Sequence, residues 1–150
     1  MEKDFSLPAS AEFLGKGVHA AVYALSESQV VYLSRRLEVC QFKADQLALW
    51  GRWAMTPAEL PAGSEAFKEG YRYALVAERL FEVEDPAESG RAVRAYHKSD
   101  LARIHEAQLS QRWAGVFPDY NPGNAMRTAG GRVMIIDGFT SSMNPAKPKS

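Results

Sequence analysis

Asp119-Tyr120-Asn121-Pro122-Gly123-Asn124, then Gly130-Gly131, then Val133-Met134-Ile135-Ile136-Asp137-Gly138-Phe139 is the stretch whose reading decides the rest of the chain. Pro122-Gly123 forces a tight turn, the glycine pair punctuates a second one, and the apolar run before Asp137 has the length of a short buried strand. A strand-loop-strand hairpin brings Asp119, Asn124 and Asp137, all within nineteen residues, to one place. Their oxygens suit magnesium, a hard ion that takes oxygen ligands and keeps room for substrate phosphates. Taken singly each is commonplace, since Asn-Pro-Gly-Asn is an ordinary turn and an aspartate often closes a hydrophobic strand. The joint spacing, together with a glycine-rich motif upstream, gives them weight.

That motif is Phe13-Leu14-Gly15-Lys16-Gly17-Val18-His19-Ala20-Ala21-Val22-Tyr23-Ala24-Leu25, two apolar β-prone runs joined by a glycine-rich turn. It predicts a hairpin whose tip lets a ligand approach the backbone closely. Its bland reading is a simple hairpin turn. A dinucleotide-binding fold is disfavoured, because Ala21 to Leu25 favours a second strand where that fold needs a helix.

The order aspartate, asparagine five residues on, then an aspartate at a strand end resembles the catalytic and metal-binding loops of the protein kinase-like superfamily. Asp119-x-Asn121-Pro122-Gly123-Asn124 is most similar to the branch with aminoglycoside phosphotransferases and small atypical kinases. The upstream hairpin resembles that family's nucleotide-covering loop, with Ala20 in place of the third glycine. The resemblance implies an α+β, minimal two-lobed kinase-like fold: a small N-terminal antiparallel sheet plus helix over about 11–78, a hinge over about 78–83, a reduced helical C-lobe over about 84–140 and a flexible tail over 141–150. It implies ATP and Mg2+ as cofactors, Asp119 as the catalytic residue, and Asn124 and Asp137 as metal ligands. Gly15, Lys16 and Gly17 would meet the phosphates, Val22 would cover the adenine, and the extended backbone from Glu78 to Leu80 would bond its edge. The family's phosphate-holding lysine is absent from the third strand, Gln29 to Arg36; alignment puts Arg35 there, a one-residue slip puts Ser34 there, and Lys16 offers a replacement charge. Asp45 or Glu38 are the candidates for its orienting carboxylate. The family's histidine before the catalytic aspartate is replaced by Phe117-Pro118.

Elsewhere, residues 41–55 have helical spacing, Thr56 to Ser64 is loop by composition, Tyr71 to Leu80 is a strand, and Ala87 to Gln108 is helical with a break or bend at Ser99-Asp100. The apolar stripe of that last segment is Ala92, Val93, Tyr96, Leu101, Ile104 and Ala107. Residues 1–11 read as a partly ordered lead. His97 and His105 read as structural or surface residues.

With 18 basic and 18 acidic side chains in 150 residues, no general attraction to polyanions is implied, and nucleic acid is not an expected partner. The single cysteine, Cys40, excludes an internal disulfide and reads as core filling in a reducing compartment. No apolar run reaches the length of a membrane span. A cytoplasmic protein is expected, or one in a host cytoplasm if delivered there; the oligomeric state is left open. Because the sequence ends soon after Asp137, where a typical kinase begins its acceptor-choosing segments, a protein substrate is expected over a small molecule. Three alternatives stand beside phosphoryl transfer: a pseudokinase-like binding or inhibitor protein, nucleotidyl (AMP) transfer on the same fold, and a small α+β binding module without nucleotide.

Overall fold

The computed structural model describes residues 5–146, and the chain is a mixed α+β protein of two compact units divided between Arg79 and Leu80.

The first unit is a five-stranded antiparallel sheet in the order β1-β2-β3-β5-β4, with β1 Glu12–Lys16, β2 Ala20–Ala24, β3 Gln29–Ser34, β4 Ala58–Glu59 and β5 Tyr73–Glu78. Helix α1, Leu37–Leu49, joins β3 to β4, and the short α2, Glu65–Lys68, precedes β5. Strand alternation sends side chains to two layers. One layer packs Ala21, Val31, Leu33 and Ala74 with Leu60, Ala66 and Tyr71, and the other packs Val30 and Ala77 with Leu47 of α1, Val22 and Tyr32.

Three expectations for this unit need correction. The helix predicted over 41–55 starts and ends earlier. Gly51 adopts φ +68°, and the bonds from Gly51 N–H to Ala48 C=O (3.1 Å) and Arg52 N–H to Leu47 C=O (2.8 Å) form a Schellman end that leaves Trp53 outside the helix. The lead is anchored from Phe5 onward, because Phe5 and Leu7 pack on the first layer and Phe5 N–H donates to Glu59 C=O at 2.9 Å. The loop over 56–64 contains the edge strand β4, paired at Ala58 with Ala74.

The second unit contains β6 Phe81–Glu82, α3 Pro86–Lys98, α4 Asp100–Arg112, β7 Phe117–Pro118, β8 Ala125–Arg127, β9 Val133–Ile135 and β10 Phe139–Thr140. They form a β6-β8-β9 sheet and a β7-β10 ribbon. The segment read as one helix with a break is two helices meeting at Ser99. Its hydroxyl donates to Tyr96 C=O at 2.7 Å and accepts from Ala102 N–H at 3.2 Å, so one side chain closes α3 and caps α4. The break resets the helical phase, so α4 buries Ala102, His105 and Leu109 and leaves Leu101 and Ile104 exposed, contrary to the predicted stripe. The predicted tail is pinned through Ala146. Ala114 N–H donates to Asn144 C=O, Ser142 N–H to Ala114 C=O, and Ala146 N–H to Arg112 C=O at 2.6 Å. Residues 147–150 of that predicted tail lie outside the described residues. No helix among the described residues is long and apolar enough to cross a membrane.

Candidate active site

In the second unit, Pro122 to Asn124 form a 3-10 turn, and the loop around it is held by its own side chains. Asp119 Oδ1 accepts from Asn121 N–H at 3.1 Å, Asn121 Oδ1 accepts from Gly123 N–H at 2.9 Å, and Asn121 C=O accepts from Asn124 N–H at 3.0 Å. These are the local side-chain to backbone bonds that aspartate and asparagine form readily in turns. A Cβ on Gly123 would lie 3.3 Å from Asn121 Oδ1, so the glycine permits the tight closure.

Two further backbone bonds tie this loop to either side of Asp137. Ile136 N–H donates to Asn124 C=O at 2.8 Å, and Asp119 N–H donates to Gly138 C=O at 2.8 Å. The hairpin β8-β9 pairs Ala125 with Ile135, and the ribbon pairs Pro118 with Phe139. Asp119, Asn124 and Asp137 therefore lie on neighbouring backbone segments. Asp119 and Asp137 are both half-buried, whereas Asn124 is 8% exposed and its Nδ2 has no hydrogen-bond partner. Such buried, unpaired polar atoms are rare and each calls for a reason.

His97 of α3 donates from Nε2 to the Asp119 C=O at 3.2 Å, a geometry that requires the proton on Nε2 because a carbonyl only accepts. Its ring lies 4.6 Å from that of Tyr120 and edge-on to Phe139 at 5.4 Å. A brace for the aspartate thus comes from a distant helix, at a residue the sequence reading treated as structural without locating its partner. The neighbouring Tyr96 reaches His105 Nδ1 at 2.6 Å, and burial lowers the His105 pKa from its usual value. Phe117 and Tyr120, flanking Asp119, are 62% and 60% exposed.

The fit of magnesium rests on two side-chain donors. No group of three His, Cys, Asp or Glu able to hold a metal occurs among the described residues. An amide and a carboxylate nonetheless match an ion that keeps waters and binds through one or two protein groups plus phosphates. A phosphate oxygen beside that ion would also offer the Asn124 Nδ2 the acceptor it lacks.

In the first unit, the turn between β1 and β2 is closed by Gly17 N–H to Ala20 C=O at 2.8 Å. A Cβ on Gly15 would meet nothing within 4 Å, and one on Gly17 only Ala20 O at 3.9 Å. Neither glycine adopts positive φ, so the fold itself demands neither. Lys16, Gly17 and Arg35 line one cavity of about 190 Å³. Val22 does not share it: Val22 pairs with Tyr32 and packs in the layer of α1, whereas Arg35 lies beyond the end of β3 with its guanidinium 5.9 Å from the centroid of Tyr71, in the opposite layer. The position that alternates onto the Val22 face is Ser34, the residue that the one-residue slip sets in the place of the family's lysine. A cation does reach that face from elsewhere. Lys43, on the Cys40-Lys43-Leu47 stripe of α1, places Nζ 5.2 Å from the Tyr32 ring centroid. It was missed because a lysine in a helix is ordinarily read as solvated; its place one turn before the buried Leu47 was the available signal.

Around the predicted hinge, the Glu78 and Arg79 N–H groups donate to Trp53 and Ser28 C=O at 2.9 Å each, and the Glu78 carboxylate accepts from Arg52 Nη2 at 2.6 Å. Leu80, the first residue of the second unit, follows directly.

No family model, no curated protein and no solved structure matches this chain.

Proposed function

We propose that this protein transfers the γ-phosphoryl group of ATP to a hydroxyl of a protein substrate, as a minimal atypical kinase would. The observation that carries the reading is the clustering of Asp119, Asn124 and Asp137 by the two backbone bonds on either side of Asp137, with the buried amide of Asn124 short of a partner. Asp119 orients the acceptor hydroxyl and takes its proton as the new O–P bond forms and the bond from the γ-phosphorus to the bridging oxygen breaks, with ADP as leaving group. One Asp119 oxygen is already committed to Asn121 N–H, which fixes the carboxylate and leaves the other for the hydroxyl. Asn124 and Asp137 would hold magnesium, whose chemistry when bound is neutralisation of the charge on the phosphates. His97 positions the Asp119 backbone.

From the first unit, Val22 covers the adenine and Gly15 and Gly17 let backbone N–H groups approach phosphate oxygens. The phosphate-holding charge we assign to Lys43, because it alone of the candidates considered reaches the Val22 face. The backbone N–H groups of Glu78 and Arg79 are spent on carbonyls of the first unit, Trp53 and Ser28, so neither is left for an adenine edge. A polypeptide acceptor is supported by Phe117 and Tyr120, large exposed aromatics on either side of Asp119 that a partner surface could cover.

Incubation with ATP and magnesium, in parallel with γ- and α-labelled nucleotide and a cell lysate, tests this. Label from γ-ATP in a protein band supports phosphoryl transfer; label from α-ATP instead reassigns the chemistry to AMP transfer; a protein that neither labels nor shows a thermal shift with magnesium and ATP is a binding protein without catalysis.

A further inference from the structure

The cavity at the end of the first unit's sheet has an electrostatic character that the nucleotide reading does not use. Its ionisable side chains are Lys16, His19, Arg35 and Arg36, together with the weakly acidic Tyr71, and no carboxylate lines it. In a chain with equal numbers of acidic and basic residues this is a local excess of one sign. Two features organise it. Arg35 is seated against the ring of buried Tyr71 beside Gly70, where a Cβ would lie 3.3 Å from Arg35 Nε, so the glycine leaves the guanidinium its place. Arg36 is the N-cap of the 13-residue α1 with no side-chain cap bond, and Val39 of its first turn also lines the cavity. Glu38 pairs with Arg36 at 3.4 Å across the surface, a contact too solvated to neutralise the site.

We propose that the charged side chains of this cavity, as distinct from the Gly17 backbone assigned to the nucleotide, form an anion-recognition site that takes a phosphate monoester carried on a polypeptide. Three full cations and a histidine exceed what one carboxylate needs, and arginine forks match phosphate oxygens. The space of about 190 Å³ far exceeds the roughly 10–15 Å³ that a single water needs. A polypeptide source is favoured over free phosphate because Val18, at the hairpin tip and 96% exposed, and Val39 add apolar contact beside the charges. The anion site stands on this geometry alone; its use in selecting an already phosphorylated acceptor rests on the phosphotransfer reading.

The test is fluorescence anisotropy of a degenerate-flank phosphoserine peptide library against the same library with serine, using the wild type and the His19→Ala/Arg36→Ala double variant, both of whose altered side chains are exposed. The wild type should favour the phosphoserine library by at least about tenfold, the variant should lose that preference, and its thermal shift with magnesium and ATP should persist. Equal binding of the two libraries overturns the proposal, as does competition by inorganic phosphate as effective as the phosphopeptide. Loss of the ATP shift in the variant also overturns it, by giving the cavity to the nucleotide while the phosphotransfer reading survives. A wild type that lacks an ATP shift yet keeps the phosphoserine preference supports the anion site and sinks the phosphotransfer reading instead.

Discussion

Cys40 is 1% exposed within α1, and burial pushes its thiol up to about 12 from an ordinary 9.0. Because the folded value lies above the unfolded one, the stabilisation from keeping the thiol neutral is complete below pH 9 and is lost as pH rises from about 9 toward about 12. The unfolded chain releases a proton there that the folded chain retains, with a slope of at most about 1.4 kcal/mol per pH unit. Urea unfolding of wild type and Cys40→Ala between pH 8 and 10.5 should give curves that converge as pH rises; parallel curves would contradict this. The same residue was legible in the sequence as core filling, since a lone cysteine beside an apolar residue has little else to do. Lys43, three positions on, was not legible: only the register of β2 on β3 shows which face the helix addresses. The glycines give the sharpest residue-level contrast. Neither Gly15 nor Gly17 has a backbone conformation or a close neighbour that excludes a methyl group. Gly15→Ala and Gly17→Ala should therefore leave stability within about 1 kcal/mol of wild type, or raise it, while weakening ATP binding in calorimetry. A large loss of stability would show that the fold, and not a ligand, requires them.

At the scale of elements, Ser99 joins two helices through one hydroxyl, so Ser99→Ala removes a cap that typically contributes about 0.5–2 kcal/mol. Chemical denaturation should show that loss, and Ser99→Asp, which keeps an N-cap acceptor, should recover part of it; no change for Ser99→Ala would mean that packing alone holds the junction. The break was readable because serine followed by aspartate is a helix-start signal. Which face α4 buries was not, because the cap resets the phase and the periodicity of 87–108 was followed straight through it. The end of α1 failed for a related reason: Gly51 is a stop signal, but apolar Trp53 continued the pattern and drew the predicted helix past it. The glycine-turn hairpin and the Asp119 to Asp137 hairpin were both legible, since each rests on turn chemistry local in sequence. The anchoring of the lead by Phe5 and of the segment 141–146 was not, since both depend on partners distant in the chain.

At the scale of the whole molecule, the candidate site residues fall in both compact units and are gathered unevenly. Asp119, Asn124 and Asp137 are gathered by backbone bonds; Lys16, Gly17 and Arg35 share a cavity that Val22 does not line; Glu78 is paired with Arg52. The central claim is that the first of these groups works on a magnesium-bound nucleotide. The most direct measurement is γ-phosphoryl transfer by Asp137→Ala beside wild type, with the thermal midpoint of each recorded. The account predicts a loss on the order of a hundredfold or more with the midpoint nearly unchanged, as expected when a charge-neutralising metal ligand is removed from a preorganised site. Transfer at the wild-type rate in a folded Asp137→Ala protein would contradict it.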